Sequence, residues 1–99
     1  MRPRKPLSDI LHELCENVYF QPPENIKLKY PCIVYTLVGA EKRAADNLGY
    51  ITHGRYQVLY ITRNPDDETI EKLLVLSSIR LDRAYSSDNL HHYSYTMYY

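Results

Sequence analysis

Apolar and polar positions alternate over 56–62, with Tyr56, Val58, Tyr60 and Thr62 on one side of an extended chain and Gln57, Leu59 and Ile61 on the other. Nearly all of these residues are β-branched or aromatic, types that fit a pleated surface, and both sides are partly apolar. The run predicts a strand inside a sheet with helices over one face. Arg63 and Asn64 then lead into Pro65, whose fixed φ and missing N–H suit the first position of a helix. Asn64 becomes the expected N-cap, and Asp66, Asp67 and Glu68 lie where a helix dipole favours negative charge. Ile70, Leu73, Leu74 and Leu76 follow as the stripe that would lie on the sheet.

The same helical period appears near the N-terminus. Leu7, Ile10, Leu11, Leu14, Cys15 and Val18 form a one-sided stripe, so a first helix is predicted from Pro6 or Ser8 to about Asn17, with Glu13 and Glu16 facing water. Pro22 and Pro23 mark 19–29 as an extended connection. A strand follows over 30–38, with Pro31 at its opening. Residues 39–54 are polar and carry two of the three glycines at their ends, which predicts a long hairpin arm that leaves the body and reaches a neighbour. Ser77 and Ser78 end the second helix, 79–85 is a strand, 86–89 a turn and 90–99 a last strand. In that last strand Tyr93, Tyr95, Met97 and Tyr99 are assigned to the helix side, and His92, Ser94, Thr96 and Tyr98 to the other.

The order helix, strand, strand, helix, strand, strand predicts an α+β fold: one four-stranded antiparallel sheet with both helices on one face. The other face then has no cover from this chain, and a partly apolar bare sheet calls for a partner.

With 99 residues the chain is expected to be a single domain, 1–99, led by a flexible basic arm over 1–5 that carries Arg2, Arg4 and Lys5. Twelve basic residues balance twelve acidic ones, so no long-range field draws nucleic acid. Cys15 and Cys32 are too few for a disulfide framework and are read as reduced, small and apolar. No signal peptide or membrane span is apparent, which fits a cytosolic origin. Eleven tyrosines with one phenylalanine and no tryptophan place amphipathic aromatic surface at many points, as in protein contacts.

No catalytic constellation assembles. His91 and His92 are neighbours on a strand and point to opposite faces, His12 lies on the first helix and His53 in the arm, so no metal site is expected. The carboxylates at 66–68 have no His or Cys nearby and read as capping charge. A phosphate loop, a nucleophile elbow and a nucleophile beside a base are all missing, so neither enzyme activity nor a cofactor is expected. Arg80, Asp82 and Arg83 read as a salt-bridge set at a sheet edge or between subunits.

Several short runs carry a resemblance that spans almost the whole chain. They are Val18-Tyr19-Phe20-Gln21-Pro22-Pro23, Lys29 through Tyr35, Ala45-Asp46-Asn47 with Tyr50, Arg55-Tyr56-Gln57-Val58 with Asn64-Pro65-Asp66, Leu81-Asp82-Arg83, and Ser87 through Tyr93. Together they resemble the tail terminator, or tail completion, proteins of tailed bacteriophages. The resemblance implies a virion protein assembled in the bacterial host cytoplasm. It also implies a hexameric ring in the neck that ends the tail tube and joins it to the head connector. Its partners would be its own copies, the tail tube protein and the connector or adaptor proteins, with DNA passing through the ring without specific contact.

The residues expected at contacts are Arg43, Asp46, Asn47 and Tyr50 on the arm, and Arg80, Arg83, His92 and Tyr98 on the strands. A different reading of the same sheet is a binding module that displays aromatics to single-stranded RNA. Its weakness is charge, since such sheets carry surplus Lys and Arg.

Overall fold

A computed structural model describes residues 4–23, 27–45, 48–76 and 78–99, the side chains of 41–45 and 48–53 excepted. The α+β class holds. The elements are α1 (Arg4–Leu14), β1 (Val18–Phe20), β2 (Cys32–Ala45), β3 (Leu48–Thr62), α2 (Thr69–Leu74), β4 (Ile79–Ser87) and β5 (Leu90–Tyr98). They build a five-stranded sheet in the order β1-β2-β3-β5-β4. The sheet is mixed, where four antiparallel strands were predicted: β1 runs parallel to β2, with Val18 opposite Ile33 and Phe20 opposite Tyr35.

Val18 therefore ends the N-terminal stripe from a strand. The helix stops at Leu14, and Cys15 closes the last turn by donating to the Leu11 carbonyl at 3.0 Å. Arg4 and Lys5, assigned to a flexible arm, form the first turn of α1 instead. Arg4 donates to Tyr35 Oη at 3.3 Å and lies 4.0 Å from the Phe20 ring centroid, which ties the helix start to β1 and β2. Residues 1–3 lie outside the described residues.

Both helices cover the same face. Leu7, Leu11 and Leu73 share one buried cluster with Ile33, Tyr35, Tyr56, Val58, Tyr60, Tyr95 and Met97, the set that alternation along β3 and β5 assigns to the inner side. Inside it Tyr95 donates to the Ile70 carbonyl at 3.1 Å, and burial pushes its hydroxyl up to about 12. A core rich in tyrosine is helped by hydroxyls that reach polar partners: Tyr95 and Tyr60 donate to Ile70 and Asp67, and Tyr35 accepts from Arg4.

The second helix is shorter than its pattern predicts. Asn64 Oδ1 accepts from Asp66 N–H at 3.0 Å, and the Asn64 carbonyl accepts from Asp67 N–H at 3.3 Å. Asn64 thus closes a turn and is not the N-cap. The helix begins at Thr69, whose N–H donates to Asp67 Oδ1 at 2.9 Å, and the other oxygen of Asp67 accepts from Tyr60 and Thr62 on β3. The six residues between strand and helix, 63–68, are taken up by this turn and by the carboxylate that joins the two elements.

β4 and β5 meet in a two-residue turn in which Asp88 (φ 54°) and Asn89 (φ 64°) both take left-handed conformations, as a hairpin with the natural strand twist needs. A β-branched residue fits that region poorly. Asn89→Val should lower stability by about 1–2 kcal/mol in urea unfolding, while Asn89→Gly should leave it unchanged or higher.

Candidate interaction surface

Pairing across β3, β5 and β4 fixes what the outer face of the sheet presents. One row runs Leu59, Ser94, Arg83, the next Gln57, Thr96, Arg80, and Arg55 and Tyr98 stand opposite each other beyond them. Three-residue spacing would put Arg80 and Arg83 on opposite faces of a regular strand. A register shift between Leu81 and Arg83 inserts Asp82 and restores both arginines to the outer side. Asp82 accepts from Arg80 Nε at 2.9 Å and from the Thr96 hydroxyl, so the inserted residue is held by its neighbours.

Tyr85 and His92 face each other across β4 and β5 with parallel rings 4.8 Å apart, and the Arg83 guanidinium lies 4.9 Å from the Tyr85 centroid. His92 Nδ1 is buried and has no hydrogen-bond partner among the described residues. At the other end, a depression of about 390 Å³ is lined by Gly39, Ala40, Arg55 and Tyr98. A Cβ at Gly39 would stand 2.8 Å from Arg55 Nη2, so a larger residue there would displace the exposed guanidinium. Of the predicted contact residues, Arg80, Arg83, His92 and Tyr98 thus share one face of three strands.

The face is not bare throughout, as the sequence predicted. Cys32 and Ile61, opposite each other on its β2–β3 side, are buried. Beside them Tyr19 Oη accepts from Lys29 N–H at 3.3 Å, which ties Lys29, just before β2, to this corner. Both cysteines are free, and burial pushes the Cys32 thiol up to about 11. The open part of the face lies over β5, β4 and the C-terminal half of the sheet.

The predicted hairpin arm is present as a two-stranded β-ribbon. Beyond Arg55 no third strand pairs with it among the described residues: β5 ends against Gly54 through two backbone bonds with Tyr99, at 2.9 and 2.8 Å, and β2 and β3 continue alone to the pair Ala45 and Leu48. At roughly 3.3 Å per residue the ribbon extends about 20 Å past the sheet, within a molecule 51 Å long. Arg43 and Tyr50 are direct cross-strand partners on it. Asp46 and Asn47 lie outside the described residues.

A second surface escaped the sequence reading. The turn before α2 is concave, with a hollow of about 360 Å³ lined by Asp66, Asp67, Glu68, Ile70, Glu71 and Tyr93. Next to it Val75 is 82 % exposed, the highest value of any large apolar side chain described. The usable signal was the run of carboxylates, which was assigned wholly to helix capping.

Among the described residues no three His, Cys, Asp or Glu side chains gather as a metal would require, and no helix is long and apolar enough to cross a membrane. Comparison with protein-family models, with curated proteins and with solved structures finds no match for this chain.

Proposed function

We propose that the chain is a structural subunit of a tailed-phage virion, one copy in a hexameric ring that ends the tail tube in the neck and joins it to the head connector. The observation that carries this reading is the β2–β3 ribbon. A two-stranded ribbon is marginal in water by itself, so one that leaves the sheet for about 20 Å is best explained by a neighbour that covers it. A ring also needs two different contact surfaces per copy, and the open outer face supplies one that the ribbon does not. Bulk charge balance suits close stacking of like copies, and the proposed role involves no turnover, cofactor or specific nucleic acid.

Electron microscopy of the purified protein mixed with tail tubes of the encoding phage tests the proposal. A rotationally symmetric ring at one end of the tube is the expected result. A protein that stays monomeric and leaves the tube ends bare overturns it. Tyr98→Ala should keep its thermal melt, because the ring is partly exposed on the outer face, yet sediment as a smaller species than the parent protein. Unchanged assembly would remove the Arg55–Tyr98 end of the face from the contact.

A further inference from the structure

The charge balance of the whole chain hides a separation between its two sides. On β3, β4 and β5 the outer face carries three guanidiniums, Arg55, Arg80 and Arg83, against the single carboxylate of Asp82. On the opposite side of the sheet, α2 and the turn before it carry Asp66, Asp67, Glu68 and Glu71 against Lys72, which pairs with Glu68 at 3.7 Å. The acidic side is hollow and is flanked by exposed Val75 and Leu74. The basic side is a strand whose residues are exposed from Arg80 to Ser87.

We infer that these two surfaces are the two halves of one interface between copies, with Arg80 and Arg83 of one copy set against the Glu68–Glu71–Val75 corner of the next. The occupant of the outer face is thus a second copy of this chain, selected by charge complementarity. Because the halves lie on opposite sides of each molecule, the contact is head-to-tail: an open series keeps one free half at each end, and it ends only when the ring closes. Asp82 assists by fixing Arg80 at 2.9 Å, and Asp67 is left out because Tyr60, Thr62 and Thr69 already hold it. The inference rests on the self-associating part of the proposed function and names the surfaces that perform it.

Charge reversal in pairs tests it. One variant carries Glu68→Arg and Glu71→Arg, the other Arg80→Glu and Arg83→Glu. Each alone should associate about tenfold or more weakly than the parent in sedimentation velocity, since like charges now meet. Mixed in equal amounts they should recover the parent assembly with the two variants alternating, because each reversed half then faces a reversed partner. Association of the parent should also weaken as salt is raised. The corresponding alanine pairs, which cannot complement, should give only dimers when mixed, and they serve in place of a reversed variant that fails to fold. Assembly of both reversed variants at the parent's level, or no recovery on mixing, overturns the interface while leaving the ring intact. A parent protein that never associates overturns the ring reading and this inference with it.

Discussion

Leu73→Asp is expected to abolish the cooperative thermal transition seen by circular dichroism. Leu73 is the only residue of α2 with no solvent exposure, and it reaches the cluster formed by Leu7, Leu11, Val58, Tyr60 and Tyr95. A six-residue helix cannot persist on propensity, because nucleation costs more than so few backbone bonds return. It exists by burying this side chain. Truncation alone removes about 2–5 kcal/mol, and a carboxylate in its place must be desolvated or protonated as well. Against a total stability of roughly 5–15 kcal/mol for a domain of this kind, the sum leaves little or no folded population. Leu73→Ala should retain a cooperative but earlier melt. A Leu73→Asp protein that melts near the parent temperature would remove α2 from the core.

Where a segment is buried on one side and exposed on the other, its sequence disclosed its structure. The alternation over 56–62 placed β3, and the choice of Tyr93, Tyr95 and Met97 for the helix side agrees with their packing against α1 and α2. Three features were hidden, each for a physical reason. Val18–Phe20 is too short for a period to show, and all three residues are partly buried, so the parallel pairing with β2 left no mark that distinguishes it from a helix end. The hairpin arm over 39–54 was predicted, but the extent of its strand pairing was not, because a ribbon beyond the core has no buried face and no need to alternate. In β4 the register shift at Asp82 breaks the two-residue period, so the common side of Arg80 and Arg83 is a property of the pairing with Ser94 and Thr96, not of the spacing. Arg80, Arg83, His92 and Tyr98 could be named as contact residues from chemistry, but the acidic corner that faces away from them could not. Asp66 and Asp67 read as ordinary first-turn carboxylates until Asn64 closes a turn that leaves them ahead of the helix, with Glu68 at its N-cap and Glu71 in its first turn.

Asp67→Ala should destabilise the fold by about 2–4 kcal/mol and flatten its acid limb, since it strands the Tyr60 and Thr62 hydroxyls and the Thr69 N–H that now share one carboxylate. Burial by itself would raise this carboxyl, but the bonds from Tyr60, Thr69 and Thr62 together outweigh it and hold the pKa below its ordinary value. The sign follows from proton binding. Between the two pKa values the unfolded chain holds more protons than the folded one, so the contribution is complete above the unfolded value of about 3.9 and is lost as pH falls through the folded one. The alkaline limb runs the other way. Burial, reinforced by the bond to Asp67, raises the Tyr60 hydroxyl, and burial raises Tyr56 and Tyr95 as well. Their contribution is complete below about pH 10, where the unfolded phenols begin to ionise, and is lost as pH climbs towards the folded values. Urea unfolding from about pH 2.5 to about pH 12, a range that brackets the unfolded carboxylate and phenol values, separates the two. In the Asp67→Ala protein the difference from the parent should be largest near neutrality and shrink in acid, while a decline at the alkaline end should remain because Tyr56 and Tyr95 are untouched. An acid limb identical in the two proteins would mean that the link between β3 and α2 is held by something other than this carboxylate.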